Sequence, residues 1–156
     1  MLTYLAACNG SCSTASAATL KWNKIDELGW INGSDPDGMG LGGTWATDVL
    51  RRNDASWMVQ VPEGLVEGEY VLRNEIMALH VAEMVDGAQA YPQCVNLKIS
   101  GGKGNKELDG GVLGSQLYGE HDKGILVSIH GNITGYDIPG PDVWKGATRV
   151  RQPGQA

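Results

Sequence analysis

The sequence has 156 residues, of which 42% are hydrophobic and 19% are charged, and these proportions suit one domain with a core of its own. Acidic residues outnumber basic ones by 18 to 12, and the net charge of −6 argues against nucleic acid or an anionic membrane as a partner. No apolar run approaches the roughly 18 residues of a membrane-spanning helix, and the 23 glycines and six prolines are typical of short strands joined by many turns.

The hydrophobic pattern predicts strands. Apolar and polar side chains alternate in short runs that end at glycine or proline, and alternation is the period of a strand. In chain order the predicted strands are residues 1–7, 22–25 (a short strand or turn segment), 57–61, 69–80, 95–99 and 125–129. Loops are predicted between them, including the glycine-rich residues 29–47, and residues 87–94 are a loop or a strand entry.

This order of elements predicts an all-β fold, an antiparallel β-sandwich with long loops. We place the sandwich at residues 1–146. Residues 147–156 are predicted to be a polar tail because they carry no core pattern.

Three cysteines and three glycosylation sequons bear on the cellular compartment. Cys8 and Cys12 lie in a segment of Asn, Gly and Ser, where a short disulfide loop is favoured over a metal site because no further His or Cys is near in sequence. Cys94 is then an odd cysteine. The sequons begin at Asn9, Asn32 and Asn132. Together these features favour an oxidising, extracellular setting, so we expect a secreted protein.

Among the three histidines, His80 has the most informative neighbours. It ends the long predicted strand, and Gln89 and Tyr91 follow with the two-residue spacing that puts strand side chains on one face. These groups offer a ligand nitrogen or proton donor, an amide and a phenolic oxygen. Two interpretations stay open, a functional cluster or a buried, hydrogen-bonded polar knot between two strands. For His121 and His130 we expect ordinary solvated side chains.

Several segments resemble one enzyme family in their order and spacing. They are Arg73-Asn-Glu-Ile-Met-Ala-Leu-His80, Gly87-Ala-Gln-Ala-Tyr-Pro-Gln-Cys94, Gly110-Gly-Val-Leu113, Gly124-Ile-Leu126 and Ile138-Pro-Gly-Pro141. From about Tyr4 to Trp144 the sequence is similar to the fungal auxiliary activity family 9 lytic polysaccharide monooxygenases, once called glycoside hydrolase family 61. The first two segments form the most specific block.

The resemblance implies an immunoglobulin-like or fibronectin-like β-sandwich with a flat face around one copper ion. Tyr91 matches the axial copper ligand, and His80 and Gln89 match the outer-sphere residues of the reaction. Copper activates O₂ or H₂O₂ in this family, and a C–H bond of cellulose or a related β-glucan is hydroxylated with electrons from an external donor. Tyr136 matches an aromatic residue that stacks on sugar.

The resemblance also implies the state of the cysteines. Cys8 and Cys12 match a short-range family disulfide, and Cys94 matches a cysteine whose partner lies upstream.

The two histidines that hold copper in the family have no counterpart in this sequence. We therefore expect a carboxyl-terminal portion of a longer protein, with an incomplete sandwich. A copper-free polysaccharide-binding module and an inactive fragment are the alternatives. Hydrolysis is not expected, because no pair of catalytic acids stands out among the 18 acidic residues.

Overall fold

The computed structural model describes residues 1–34 and 41–155. Its regular elements are seven strands, one α-helix and one 3₁₀ turn in this described part. They are β1 (Leu2–Ala7), β2 (Lys21–Glu27), β3 (Trp30–Asn32), β4 (Thr44–Trp45), α1 (Ala46–Arg52), β5 (Gly68–Ala78), β6 (Gln89–Ile99), β7 (Val112–Leu113) and the 3₁₀ turn Gly114–Gln116.

A five-stranded antiparallel sheet in the order β6-β5-β1-β2-β7 forms the framework. Both edges of the central strand β1 are paired, with β5 and with β2, and its side chains on both faces pack into core clusters. Leu2 and Tyr4 pack with Trp22 in one core cluster, whereas Leu5 packs with Tyr70 in another. Ala6 belongs to the first cluster with Leu2 and Tyr4, so Leu5, which lies between Tyr4 and Ala6, packs on the opposite side of the strand.

The hairpin of β5 and β6 has eleven paired residues in each strand, from Gly68 opposite Ile99 to Ala78 opposite Gln89. It confirms the strands predicted at 69–80 and 95–99, as β1 and β2 confirm those at 1–7 and 22–25. Residues 89–94, which we predicted as a loop or a strand entry, are strand. β5 ends at Ala78, because the N–H of Ala82 bonds to the carbonyl of Leu79 and turns the chain.

A second, two-stranded sheet lies in the segment predicted as a loop at 29–47, so that prediction is wrong for β3 and β4. Residues 35–40 of the segment are outside the described residues. Gly43 allows the pairing of the two strands, because a Cβ there would lie 2.2 Å from the carbonyl oxygen of Asn32. The helix α1 begins directly after Trp45, whose backbone N–H donates to Asp48 Oδ2 at 2.7 Å.

The strand predicted at 57–61 is wrong, and a side chain near the end of the chain gives the physical reason. Gln152 takes both backbone groups of Met58: the Met58 N–H donates to Gln152 Oε1 at 2.9 Å, and Gln152 Nε2 donates to the Met58 carbonyl at 2.8 Å. Gln152 is only 3% exposed, so part of the segment predicted as a polar tail packs into the molecule.

The strand predicted at 125–129 is also wrong. The N–H groups of Ile125 and Leu126 both donate to the carbonyl of Asp122, which makes a turn of these residues. Val127 N–H then bonds to the carbonyl of Ala82 and ties this segment to the β5–β6 turn. Within the described residues, none of the helical structure has the length and apolar character needed to cross a membrane.

Candidate functional site

Gln89 and Tyr91 occupy neighbouring positions on one face at the start of β6. The Tyr91 hydroxyl donates to Gln89 Oε1 at 2.6 Å, so the two side chains meet as their spacing predicts. Tyr91 is 53% exposed and Gln89 is partly exposed. The exposure of this pair contradicts the alternative of a buried polar knot and leaves both polar groups within reach of solvent.

His80 lies at the same end of the hairpin, two residues past the last residue of β5. Its side chain is exposed. Its carbonyl accepts a hydrogen bond from His130 Nε2 at 3.2 Å, and that nitrogen lies 4.0 Å from Glu83 Oε2. Among the described residues no hydrogen bond links the His80 ring to the Gln89–Tyr91 pair, although His80 lies at the same end of the hairpin. His121 is exposed, as we predicted.

The turn between β5 and β6 sets the position of His80 relative to Gln89. Its backbone closes through the hydrogen bonds of Met84 N–H to Val81 O and of Gly87 N–H to Met84 O. A Cβ at Gly87 would lie 1.8 Å from the Val81 carbonyl oxygen, so only glycine allows this close approach. The glycine that precedes the Gln-Ala-Tyr motif is thus a geometric requirement of the turn.

An apolar cavity of about 240 Å³ lies beside His80. Trp45, Met77 and Ile129 contribute to its wall, as does Tyr136. The Tyr136 ring lies edge-on to Trp45 at 5.2 Å, and its hydroxyl donates to the carbonyl of Gly124 at 2.7 Å. Burial raises the pKa of Tyr136. These contacts fix the ring, and its role in sugar binding stays a prediction.

The cysteines divide as the sequence predicts. Cys8 and Cys12 form a disulfide. The backbone N–H of Cys12 also donates to Glu69 Oε2 at 2.8 Å, which ties the disulfide loop to β5. Cys94 is a free, exposed thiol within the described residues.

A buried polar cluster on the same sheet was missed by the sequence reasoning. Glu75 is fully buried and pairs with Arg73 through hydrogen bonds of 2.8 to 3.1 Å. The Tyr118 hydroxyl lies 2.7 Å from Glu75 Oε2 and 2.9 Å from the Tyr4 hydroxyl. Burial raises the pKa of Tyr118, and Tyr4 and Glu75 raise it further. The spacing of two residues between Arg73 and Glu75 was the available signal, because it puts opposite charges on one face of a strand.

Copper is the metal that the family resemblance implies. In residues 1–34 and 41–155, no three His, Cys, Asp or Glu side chains form a group that could hold a metal ion. Tyr91 offers one exposed oxygen beside the Gln89 amide, whereas copper sites in proteins take imidazole or thiolate ligands as well. The described residues therefore do not make a complete copper site by themselves.

Comparison with known protein families shows to which family the chain belongs. The sequence model of Auxiliary Activity family 9, formerly GH61, matches residues 1–136. The chain belongs to Auxiliary Activity family 9. Its sequence is 46% identical over 148 residues to the AA9 family lytic polysaccharide monooxygenase B of Aspergillus tamarii, and 45% identical over 146 residues to monooxygenase A of Penicillium parvum.

The family's solved structures confirm the fold. The extended catalytic domain of H. jecorina LPMO9A, also called EG4, superposes with a TM-score of 0.87 at 45% identity and covers 99% of this chain. The antiparallel sheets of this AA9 chain match that β-sandwich, as predicted.

This AA9 chain is shorter than the proteins that it resembles. The matches cover 95% and 94% of the chain but 38% and 56% of the Aspergillus and Penicillium proteins. The superposition covers 60% of the H. jecorina structure. The chain thus spans about two fifths to three fifths of the length of these relatives.

Proposed function

We propose that this chain forms part of a copper-dependent lytic polysaccharide monooxygenase, which cleaves cellulose or a related β-glucan oxidatively. The observation that carries the proposal is the exposed Tyr91–Gln89 pair, joined by a 2.6 Å hydrogen bond inside the segment that the AA9 family model covers. Relatives at about 45% identity are named lytic polysaccharide monooxygenases.

The hydrogen bond of the pair supports separate roles for its two members. The Tyr91 hydroxyl donates a hydrogen bond to Gln89, so lone pairs of the phenolic oxygen would remain available to a metal. Gln89 accepts through its amide oxygen, so its amide nitrogen keeps two N–H donors for an oxygen species or a substrate hydroxyl. We assign His80, exposed at the same end of the hairpin, as the second outer-sphere group.

The nitrogen ligands of copper come, in this proposal, from protein outside the 156 residues. Two observations support this. The described residues include no group of three potential metal ligands, and the chain covers only 38% and 56% of the length of two relatives. Copper would supply the oxidative chemistry when bound, with electrons from an external donor. Tyr91, Gln89 and His80 are the contribution of this chain.

The substrate and the compartment follow from the same proposal. A β-glucan is uncharged, so the net charge of −6 does not repel it. Tyr136 is the proposed sugar contact, held in place by Trp45 and by the Gly124 carbonyl. The disulfide and the three sequons support a secreted protein.

Product analysis tests the proposal. The protein, isolated as its own organism produces it, is incubated with cellulose, copper and a reductant, and soluble products are identified by mass spectrometry. We expect oligosaccharides oxidised at C1 or C4 that disappear when a chelator removes copper. Retention on cellulose without oxidised products would favour the binding-module alternative. The absence of both retention and oxidised products would contradict the proposal and favour an inactive fragment.

A further inference from the structure

The Asn132-Ile-Thr134 sequon lies in a loop that borders the candidate site. Asn132 and Thr134 are both exposed and lie outside the helices and strands. Two residues before the sequon, His130 donates from Nε2 to the carbonyl of His80 at 3.2 Å. An adduct on Asn132 would thus project into solvent beside His80.

The sequon at Asn32 is in a different environment. Asn32 is partly buried at the end of β3, and its Oδ1 accepts the N–H of Ser34 at 2.9 Å. The carbonyl of Ser34 accepts the hydroxyl of Thr44 at 2.6 Å. Backbone packs closely here, since a Cβ at Gly43 would lie 2.2 Å from the Asn32 carbonyl oxygen. The Asn32 side chain is therefore less exposed than that of Asn132, and its oxygen is already bonded within the segment.

The sequon at Asn9 lies wholly within the ring that the Cys8–Cys12 disulfide closes. The hydroxyl of Ser11, which is the sequon's third residue, lies 2.9 Å from Ser13 Oγ and 3.3 Å from Glu69 Oε2. A glycosyltransferase needs an accessible sequon with a free hydroxyl, and disulfide closure competes with that access.

We propose that Asn132 carries an N-linked glycan and that Asn9 and Asn32 do not. The amide nitrogen of Asn132 forms a bond to the anomeric carbon of a lipid-pyrophosphate-linked oligosaccharide. The bond from that carbon to the pyrophosphate oxygen breaks, the lipid pyrophosphate leaves, and the amide loses one proton to a base. The proposal rests on the proposed function only for the secretory compartment, and it adds carbohydrate at the edge of the candidate site.

Intact mass on protein from a eukaryotic secretory host tests the assignment. The 156-residue chain is expressed behind the secretion leader of the host, and both the medium and the total cell extract are measured before and after treatment with peptide N-glycosidase. Including the extract counts chain that is glycosylated but retained in the cell. The host supplies the compartment and the transferase, so the result is independent of copper binding and cellulose cleavage.

We expect one glycan per chain, lost in Asn132→Gln and Thr134→Val and kept in the matched variants Asn9→Gln and Asn32→Gln. Deglycosylation converts the modified Asn to Asp, and peptide mapping should find that change at residue 132. The assignment is overturned if Asn132→Gln keeps the full glycan mass, if the wild-type chain carries none, or if Asn9→Gln or Asn32→Gln loses a glycan.

Discussion

One hydrogen bond determines which polar groups of Tyr91 and Gln89 remain available to a ligand. Because Tyr91 donates to Gln89, the phenolic oxygen keeps its lone pairs and the amide keeps its N–H groups. Substitution of Gln89 by Ala or of Tyr91 by Phe breaks this arrangement, because it removes one partner of the hydrogen bond and frees the other to rotate. Both side chains are accessible to solvent, so the substitutions should affect function far more than folding.

Gln89→Ala and Tyr91→Phe, made in the protein as its organism produces it, should each lower the yield of oxidised oligosaccharides by about 10- to 100-fold, the usual range for groups that orient a metal centre. The yield is measured by mass spectrometry with copper and a reductant present. The matched control is Gln93→Ala, an exposed position on the same face of β6. Wild-type yields in both variants would remove these residues from the site.

Tyr118→Phe should destabilise the fold, because it removes the hydroxyl that bonds to the buried Glu75 carboxylate and to Tyr4. Loss of a buried partner costs about 1–3 kcal/mol in the free energy of unfolding. Urea unfolding followed by tryptophan fluorescence measures it. Tyr91→Phe is the control, since its hydroxyl is solvent-exposed and should change stability by less than about 0.5 kcal/mol. An unchanged urea midpoint for Tyr118→Phe would contradict the role of the cluster.

At the scale of elements, β6 is an edge strand of the five-stranded sheet and most of its residues are exposed. Tyr91 and Val95 are both 53% exposed on this strand. A long edge strand with exposed apolar side chains favours edge-to-edge association, because its outer backbone N–H and C=O groups can pair with another chain.

Val95→Lys should therefore reduce self-association of the 156-residue chain. A charge on an exposed strand opposes pairing with a second copy. Sedimentation velocity under reducing conditions measures the change and keeps Cys94 out of the comparison. Val85→Lys is the matched control, because Val85 is 50% exposed but lies in the turn between β5 and β6. If both variants associate as the wild type does, the edge of β6 is not the contact.

The buried Gln152 connects the end of the chain to Met58 through two partly buried hydrogen bonds. Gln152→Ala leaves both backbone groups of Met58 without these partners, so we expect a loss of about 1–3 kcal/mol in the free energy of unfolding. Chemical denaturation of the two variants side by side gives the comparison. Gln60→Ala is the control, because Gln60 is exposed and, within the described residues, its side chain bonds only to the neighbouring Val61 carbonyl. Equal midpoints for the two variants would show that the contact of Gln152 with Met58 adds no stability.

The strand predictions that are correct rest on apolar or alternating runs in the residues of the strand itself. The predictions failed where distant side chains or turns form hydrogen bonds with the backbone of the segment. The apolar residues of β1 indicate directly that this strand is buried, and the residues of β5 indicate it in part. Residues 57–61 have a strand-like pattern, but their backbone pairs with a glutamine 94 positions away from Met58. Residues 125–129 also have a strand-like pattern, but two of their N–H groups bond to the carbonyl of Asp122, which turns the chain. Such long-range contacts leave no periodic trace.

The candidate site follows the same rule. The common face of Gln89 and Tyr91 came from local spacing, and the structure confirms it. The buried cluster of Glu75 and Tyr118 joins residues 43 positions apart, so the local spacing of Arg73 and Glu75 could indicate a charge pair on one strand face but not its partner Tyr118. The assignment of Tyr91 to copper came from family resemblance, because a phenol on a strand does not by itself indicate a metal.

At the scale of the whole molecule, the chain is an AA9 sequence that spans part of the length of its relatives. Its sheets match the solved AA9 β-sandwiches over nearly all of its length. Its described residues bring the proposed axial and outer-sphere groups to one end of the β5–β6 hairpin. The central claim is that these groups complete a copper site whose nitrogen ligands lie outside the 156 residues.

Copper(II) titration followed by electron paramagnetic resonance, on the protein as its organism produces it, tests this claim most directly. Wild type and Tyr91→Phe are compared, with Gln93→Ala as the control. We predict one copper per molecule with nitrogen ligands, and a spectrum that changes in Tyr91→Phe but not in the control. Failure of the wild type to bind copper stoichiometrically, or a Tyr91→Phe spectrum identical to that of the wild type, would contradict the claim.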